Sequence, residues 1–494
     1  MKPVPVLGNH LPHEVRRLAL SVLMPGFVGT TLPRWLEERL AQGLGGVCLF
    51  GHNVESPAQV RALTGAVHAA GPRALVASDE EGGSVSRLDA GAGSPWPGHA
   101  TLGALDDPDA TYAVALGLGH GAADAGLDLV LAPVLDVNSE PDNPVIGVRS
   151  FGATPELVAR HGAAFVRGLQ DGGVAACGKH YPGHGATRTD SHVELPVLDV
   201  DEETWRTRDL PPFEAAVEAG VASVMTAHVV LTALDDRPAT LSARVLGALR
   251  RDLGFQGAIV SDALDMKAIS AGVGRPAGAV QCLAAGVDLV CIGNPSFPAT
   301  YDDEAVVDEL ADAIVSAVAT GDLSLDRLEE ASARVGALST RQAPTHPDPP
   351  GEAFGTDVAA RALTVRGDVR VTGDAVVVFP RPPFGYAAGR MPSALLTRLR
   401  ASRPSWQVRE VDDPLAARRA AQGAGAVLLV VEGRYDPDVA ASVRAVLEVA
   451  PDAVVVYGGL ARADDPGRHT VHSHGTGAAT ARAVAGLLLG DDPR

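Results

Sequence analysis

The fifteen residues Gly178 to His192, GKHYPGHGATRTDSH, hold one lysine, three histidines and one aspartate. Two kinds of chemistry use such a set. His180 and His184 are four apart, a spacing at which a helix presents both rings to one metal ion, but Pro182, Gly183 and Gly185 break any helix there. Asp190 and His192 are two apart. In an extended or turning loop the carboxylate can bind one imidazole nitrogen and leave the other aimed at a substrate, which makes the ring more basic and suits it to move a proton. An isolated Asp-x-His pair also occurs as a solvated loop dyad. The functional groups crowded around this one favour proton transfer.

Three more clusters carry chemistry. In Val260 to Met266, VSDALDM, Asp262 stands where an apolar run gives way to a loop. A carboxylate so placed can attack an anomeric carbon and form a glycosyl-enzyme intermediate that water later releases; Ser261 or Asp262 could instead cap a following helix. In Ser78 to Arg87, SDEEGGSVSR, Asp79 can accept two hydrogen bonds from adjacent hydroxyls and Gly82-Gly83 lets backbone approach a ligand, or simply makes a turn. In Ile146 to Phe151, IGVRSF, Arg149 could hold an acyl carbonyl or a carboxylate. The chain has only three lysines against 38 arginines. Where arginine is the default cation, Lys179 beside His180 suggests that an ammonium is wanted, and it could bind sugar hydroxyls. Lys267 receives no role.

These residues need elements to hold them. The first two-thirds of the chain alternate short apolar runs with helical patterns, the rhythm of βα units on a parallel sheet. Eight runs read as strands, over 22–27, 46–51, 74–79, 129–137, 175–181, 223–229, 258–264 and 289–294. Helices are expected over 57–70, 108–125, 155–171, 210–219, 242–252 and 275–285, several opening on Pro or a small polar residue and closing near Gly. Eight strands close a (β/α)8 barrel of the TIM type, and the runs end in polar or Gly-rich residues: Asp79, Asp136 with Asn138, Lys179-His180, His228, Asp262, Asn294. Barrel chemistry sits at those strand ends.

Residues 341–356, RQAPTHPDPPGEAFGT, read as a linker between a barrel over 1–340 and a smaller αβα sandwich over 357–494. Strands in that second unit are expected over 375–379, 406–411, 426–432 and 453–457, with helices over 392–401 and 437–449, in a doubly wound order.

Composition excludes other classes. The net charge of −19 and the lack of a basic stripe oppose a nucleic-acid partner. The 46% hydrophobic and 20% charged residues suit a folded globular chain. Four cysteines without C-x-x-C spacing, three of them (Cys48, Cys177 and Cys291) inside apolar runs, read as buried thiols in a reducing compartment. No apolar stretch of signal-peptide length follows Lys2, and no membrane span is read, so a cytoplasmic address is expected.

Taken in order, the four motifs resemble the β-N-acetylglucosaminidases of glycoside hydrolase family 3, over roughly residues 10–340. The most specific piece is KHYPGHGATRTDSH, set against a family pattern of Lys-His-aromatic-Pro-Gly-His-Gly, a short spacer and Asp-Ser-His. The resemblance implies that Asp262 is the nucleophile, His192 the general acid/base and Asp190 its orienting partner. It implies that Asp79, Arg87, Arg149, Lys179 and His180 bind the N-acetylglucosamine ring, with no metal or organic cofactor. A neutral imidazole in place of the usual second carboxylate does not repel an incoming phosphate or muramyl carboxylate. Ala263 stands where many relatives carry a second Asp, without expected effect on the chemistry. The resemblance carries no site residue into the second unit, for which packing or dimer contacts are expected, the chain being a monomer or homodimer. Hydrolysis of β-linked N-acetylglucosamine in muropeptides or chitooligosaccharides is the leading expectation. Phosphorolysis by the same residues, a non-catalytic sugar-binding barrel and a metal-dependent barrel hydrolase are the alternatives.

Overall fold

All eight apolar runs of the first two-thirds form parallel strands: β1 (Leu23–Pro25), β2 (Gly46–Leu49), β3 (Leu75–Ser78), β4 (Leu129–Val130), β5 (Ala175–Tyr181), β6 (Ser223–Thr226), β7 (Ala258–Ser261) and β8 (Val290–Gly293). The structure, a computed structural model, describes residues 12–297, 300–339, 344–345, 348–382, 392–433, 435–462 and 464–490. Strands β2 to β7 hydrogen-bond in sequence order, and β1 pairs with β8. A bridge from Val260 to Leu289 carries the ladder from β7 to β8. Between β1 and β2 the backbones run close enough that a Cβ on Gly45 would lie 2.3 Å from the Ser21 carbonyl oxygen. There the Gly45 N–H donates to Leu20 O. The result is the expected TIM-type α/β barrel.

Because successive strand residues face opposite sides, the apolar runs supply two cores at once. Met24, Cys48, Leu75, Ala77, Leu129, Cys177, Met225, Ala258, Val260 and Cys291 fill the barrel interior. Their neighbours Val47, Val76, Val130, Ala176, Val224, Ile259, Val290 and Ile292 pack outward against the helices. All four cysteines are buried free thiols. Helix starts follow their sequence signals: Ser56 Oγ accepts from Gln59 N ahead of Pro57–Ala70, and the Asp107 carboxylate accepts from Ala110 N ahead of Pro108–Asp124. The strand expected over 129–137 is regular only at Leu129–Val130, with Val134 bridging to Lys179. Pro133 between them has no N–H to give to a ladder.

The second sheet has six strands: β9 (Thr364–Arg366), β10 (Val376–Pro380), β11 (Gln407–Val411), β12 (Val427–Val431), β13 (Val454–Tyr457) and β14 (His469–His472). Their order is β9-β14-β13-β12-β10-β11, with only β9 antiparallel. Val377, Leu428, Val430, Val454 and Val456 pack against the helices Ala394–Ser402 and Ala478–Leu489. Val378, Leu429, Val431, Val455 and Tyr457 pack against Pro414–Ala421 and Pro437–Val449. That is the three-layer sandwich expected, with β9 and β14 added to the four strands read from sequence.

The expected linker 341–356 needs correction at its end. Helix begins at Glu352 and runs to Ala362, so the last five linker residues are helical. Ala359 of this helix packs on Ala479 and Ala483, and Thr356 accepts a hydrogen bond from Arg482. Part of the linker lies outside the described residues. The sandwich also grips the barrel directly: Thr101 Oγ1 hydrogen-bonds Ser473 O and His474 O, and Ala478 N and Ala479 N donate to Ser94 O. Among the described residues no helix is long and apolar enough to cross a membrane.

Candidate active site

A cavity of about 810 Å³ opens among the ends of the barrel strands. Every residue expected at the site lines it except Asp190, and Asp190 is bonded to one that does. No described residue of the sandwich contributes to its wall.

One wall is a charge cluster built from β3 and β5. Asp79 follows β3, and the chain then folds into a small hairpin, Glu80–Gly82 against Val85–Ser86. Gly82 (φ 77°) and Gly83 (φ 57°) make its turn. A Cβ on Gly82 would meet Pro97 O at 2.7 Å, and one on Gly83 would meet Gly98 Cα at 2.8 Å, so glycine is required on both counts. Lys179, 1% exposed, reaches with its Nζ from β5 to Asp79 Oδ1 at 2.7 Å and Glu81 Oε1 at 2.8 Å. Arg149 grips Glu81 with two parallel bonds, Nε to Oε2 at 2.9 Å and Nη2 to Oε1 at 2.7 Å, and gives another to Val145 O. The carboxylate that Arg149 holds is thus the protein's own. An ammonium has three donors and a guanidinium five, so Lys179 keeps one N–H for a ligand and Arg149, whose second Nη2 N–H faces His180 Nε2, also keeps one. Arg87 Nη2 donates to Asp79 Oδ2 at 3.1 Å. Burial pushes the Asp79 carboxyl up, but Lys179 and Arg87 outweigh it and hold it at about 2. For Glu81, burial is likewise outweighed by Arg149 and Lys179.

His180 adds an oriented ring. Its Nδ1 lies 2.7 Å from Asp136 Oδ2, and Asp136 Oδ1 accepts the His184 N–H at 2.7 Å. With Nδ1 given to the carboxylate, Nε2 faces Arg149 Nη2 at 3.4 Å. His184 turns its Nδ1 to Thr187 Oγ1 and its Nε2 to Ser191 Oγ. The two rings therefore serve different partners, and among the described residues no group of three metal-ligating side chains forms.

The loop after β5 carries the Asp190–His192 pair as the spacing predicts. Asp190 Oδ1 receives the His192 backbone N–H at 2.9 Å and lies 2.7 Å from Nδ1 of the ring. An ionised carboxylate only accepts, so Nδ1 is the donor and the pair fixes which ring nitrogen carries this proton. Burial raises the Asp190 carboxyl, but the side-chain and backbone hydrogen bonds from His192 and the fields of His192 and His184 together outweigh it and hold it below its ordinary value. Ala268 N donates to Ser191 O at 3.4 Å, tying this loop to the segment just after Asp262.

Asp262 follows β7, with Oδ1 accepting the Ala263 N–H at 2.8 Å. Burial would raise this carboxyl; the fields of His228, His180 and His192 and the Ala263 N–H hold it below its ordinary value. His228 is buried and bridges Thr240 Oγ1 at 2.9 Å and Ala263 O at 2.9 Å. Burial keeps its ring neutral, so Nε2 donates to Ala263 O and fixes the backbone beside Asp262.

Sequence reasoning gave no role to Glu81, Asp136, His228 or Asp265, all at strand ends or one short turn beyond. Their signal was the polarity of those ends. Glu80 acts behind the wall: Oε1 accepts from Arg87 N, Leu88 N and Ser78 Oγ, and Oε2 from Ser86 Oγ. Burial lifts it to about 7 despite these bonds. A carboxyl raised in the folded state contributes stability below its unfolded value of 4.5 that is lost as pH rises toward about 7. Glu80→Gln imitates the protonated acid, so its thermal stability should exceed wild type increasingly between about pH 5 and 7, by on the order of 3 kcal/mol at the upper end. Melting curves at a series of pH values read this directly; a constant offset would contradict it.

Fold and cavity together define a barrel enzyme with a sugar-sized site at its strand ends. Residues 30–338, well over half of the chain, match the family described as "Glycosyl hydrolase family 3 N terminal domain". Among similar proteins, Beta-hexosaminidase of Nitrosomonas eutropha is 39% identical over 284 residues, which cover 56% of this chain and 81% of that one. Beta-hexosaminidase A of Pseudoalteromonas piscicida is 35% identical over 341 residues, 63% of this chain but only 56% of the other's length. A solved glycoside hydrolase family 3 β-N-acetylglucosaminidase from Paenibacillus sp. str. FPU-7 superposes with a TM-score of 0.84 at 30% identity, covering 96% of each chain. The chain belongs to glycosyl hydrolase family 3 and is a glycosidase.

Proposed function

We propose that the chain is a retaining exo-β-N-acetylglucosaminidase that releases terminal N-acetylglucosamine from oligosaccharides. The observation that carries this reading is one cavity lined by Asp262 and His192, with Asp190 bonded to the His192 ring. In the first step His192 Nε2–H protonates the glycosidic oxygen while Asp262 attacks the anomeric carbon, giving a glycosyl ester and the free leaving sugar. In the second, His192 takes a proton from water, and the hydroxide so formed displaces Asp262 with a second inversion. Asp190 holds the ring in one tautomer and stabilises its cation. The spare donors of Lys179 and Arg149, with His180, suit the hydroxyls and acetamide of the bound sugar. The name of the Paenibacillus relative, a β-N-acetylglucosaminidase, supports the choice of N-acetylglucosamine, and the Nitrosomonas and Pseudoalteromonas relatives carry the broader name beta-hexosaminidase.

The test is turnover of an aryl β-N-acetylglucosaminide against the matching β-glucoside, each with and without phosphate. The expected result is a preference for the acetamido sugar by a factor of roughly 10² or more, with free N-acetylglucosamine as product in both buffers. Preference for the glucoside would overturn the sugar assignment, and N-acetylglucosamine 1-phosphate as product would make the enzyme a phosphorylase.

A further inference from the structure

The cavity has a second wall of different character, on β8, β1 and β2, which meets the charge cluster where β2 adjoins β3. Asp265, three residues beyond Asp262, turns its carboxylate against the end of β8. Oδ2 accepts the Asn294 N–H at 2.9 Å, and no hydrogen bond of Oδ1 exists among the described residues. Gly293 (φ 113°) makes room for it: a Cβ there would come within 2.2 Å of Oδ1. The Gly293 carbonyl in turn accepts the Gly26 N–H, and a Cβ on Gly26 would lie 2.6 Å from the Phe50 ring. Phe50 and His52 have near-parallel rings, 11° apart with centroids at 6.0 Å. Asp265, Asn294, Phe50 and His52 thus form one continuous surface of the cavity.

This wall offers apolar ring surface, one amide and one carboxylate. Among the described lining residues the lysine and both arginines belong to the charge cluster, where Asp79 and Glu81 already engage them. Arg275 lies near Asp265, but its guanidinium covers the Tyr301 ring at 4.4 Å and is not part of the cavity surface. Resting on the glycosidase reading above, we propose that Asp265 and the Phe50–His52 wall receive the leaving sugar and select an uncharged pyranose, such as a second N-acetylglucosamine, over one bearing a carboxylate. The free Oδ1 can accept a sugar hydroxyl and the rings can pack on sugar C–H groups. A lactyl carboxylate brought to the same place meets the like charge of Asp265.

Burial raises the Asp265 carboxyl to about 7. The groups around it are Asp262 on β7, His192 on the loop after β5, Arg275 and Tyr301 behind it, and Cys291 on β8. Asp265 therefore gains charge as pH rises through neutrality, and its repulsion of an anion grows with it. Asp262, held below its ordinary value, stays ionised across the neutral range and acts on every substrate alike.

The experiment measures kcat/KM for chitobiose and for the disaccharide whose reducing sugar is N-acetylmuramic acid, with wild type and Asp265→Asn, from about pH 5.5 to about pH 8.5. An aryl β-N-acetylglucosaminide is assayed alongside. Wild type should prefer chitobiose roughly tenfold or more at the upper end, the preference should shrink toward low pH, and Asp265→Asn should reduce it to within about threefold at every pH. If the variant does not fold, the wild-type ratio decides alone. A ratio near one, or one flat with pH and unmoved by the substitution, overturns the inference while turnover of the aryl glycoside leaves the proposed function standing. No turnover of the aryl glycoside overturns both.

Discussion

Asp262→Ala should lower kcat on an aryl β-N-acetylglucosaminide by ~10³ or more, with the fold and ligand affinity retained. The size follows from what is removed. The carboxylate supplies the attacking oxygen of the first step and the leaving group of the second, and no other group in the cavity can do both. Asp265, three residues on, is raised by burial to about 7, whereas Asp262 is held low and ionised. Its backbone at Ala263 is fixed by His228, so alanine at 262 deletes the nucleophile and one hydrogen bond to Ala263 N without freeing the strand end. Steady-state kinetics with a circular dichroism control reads the effect. A loss of less than about tenfold would mean that Asp262 is not the nucleophile.

The second large effect should depend on the leaving group. His192→Ala removes the proton donor, so kcat/KM for chitobiose should fall by ~10² to 10⁴, the range spanned by general acid–base catalysis. For a dinitrophenyl glycoside, whose leaving group departs unprotonated, kcat/KM should change by roughly tenfold at most. Asp190→Asn should fall between wild type and His192→Ala, because an amide oxygen still orients Nδ1–H but no longer stabilises the imidazolium. Equal losses on both substrates would show that His192 acts in binding or folding rather than as the acid.

How much of this was legible before any coordinates depends on whether a feature is local in the chain. The Asp190–His192 pair was readable because donor and acceptor are two residues apart and the structure keeps them 2.7 Å apart. The eight barrel strands were readable because each is an apolar run bounded by helix signals. The charge cluster was not. Glu81, Arg149 and Lys179 come from three separate segments, the hairpin after β3, the short turn Gly147–Arg149 after β4 and β5 itself, and Glu81, 1% exposed and held by two cations, looks in sequence like any glutamate in a glycine turn. Arg149 was read as a ligand's partner when most of its donors go to Glu81 and Val145. Asp265 passed as the tail of VSDALDM, since nothing local says that a glycine on the next strand clears space for it. In the second unit, β9 is three exposed residues, TVR, and β14 is HTVH; both are too short and too polar to stand out, and only pairing with each other and with β13 makes them strands.

The central claim, a covalent sugar on Asp262 turned over by His192, has a direct measurement. His192→Ala treated with a dinitrophenyl β-N-acetylglucosaminide should load rapidly and hydrolyse slowly, so the intermediate accumulates. Rapid quenching, proteolysis and mass spectrometry should find one N-acetylhexosaminyl residue esterified to the peptide that carries Asp262, and wild type should release the β-anomer first. An unmodified Asp262 peptide, with the α-anomer released first by wild type, would contradict the account.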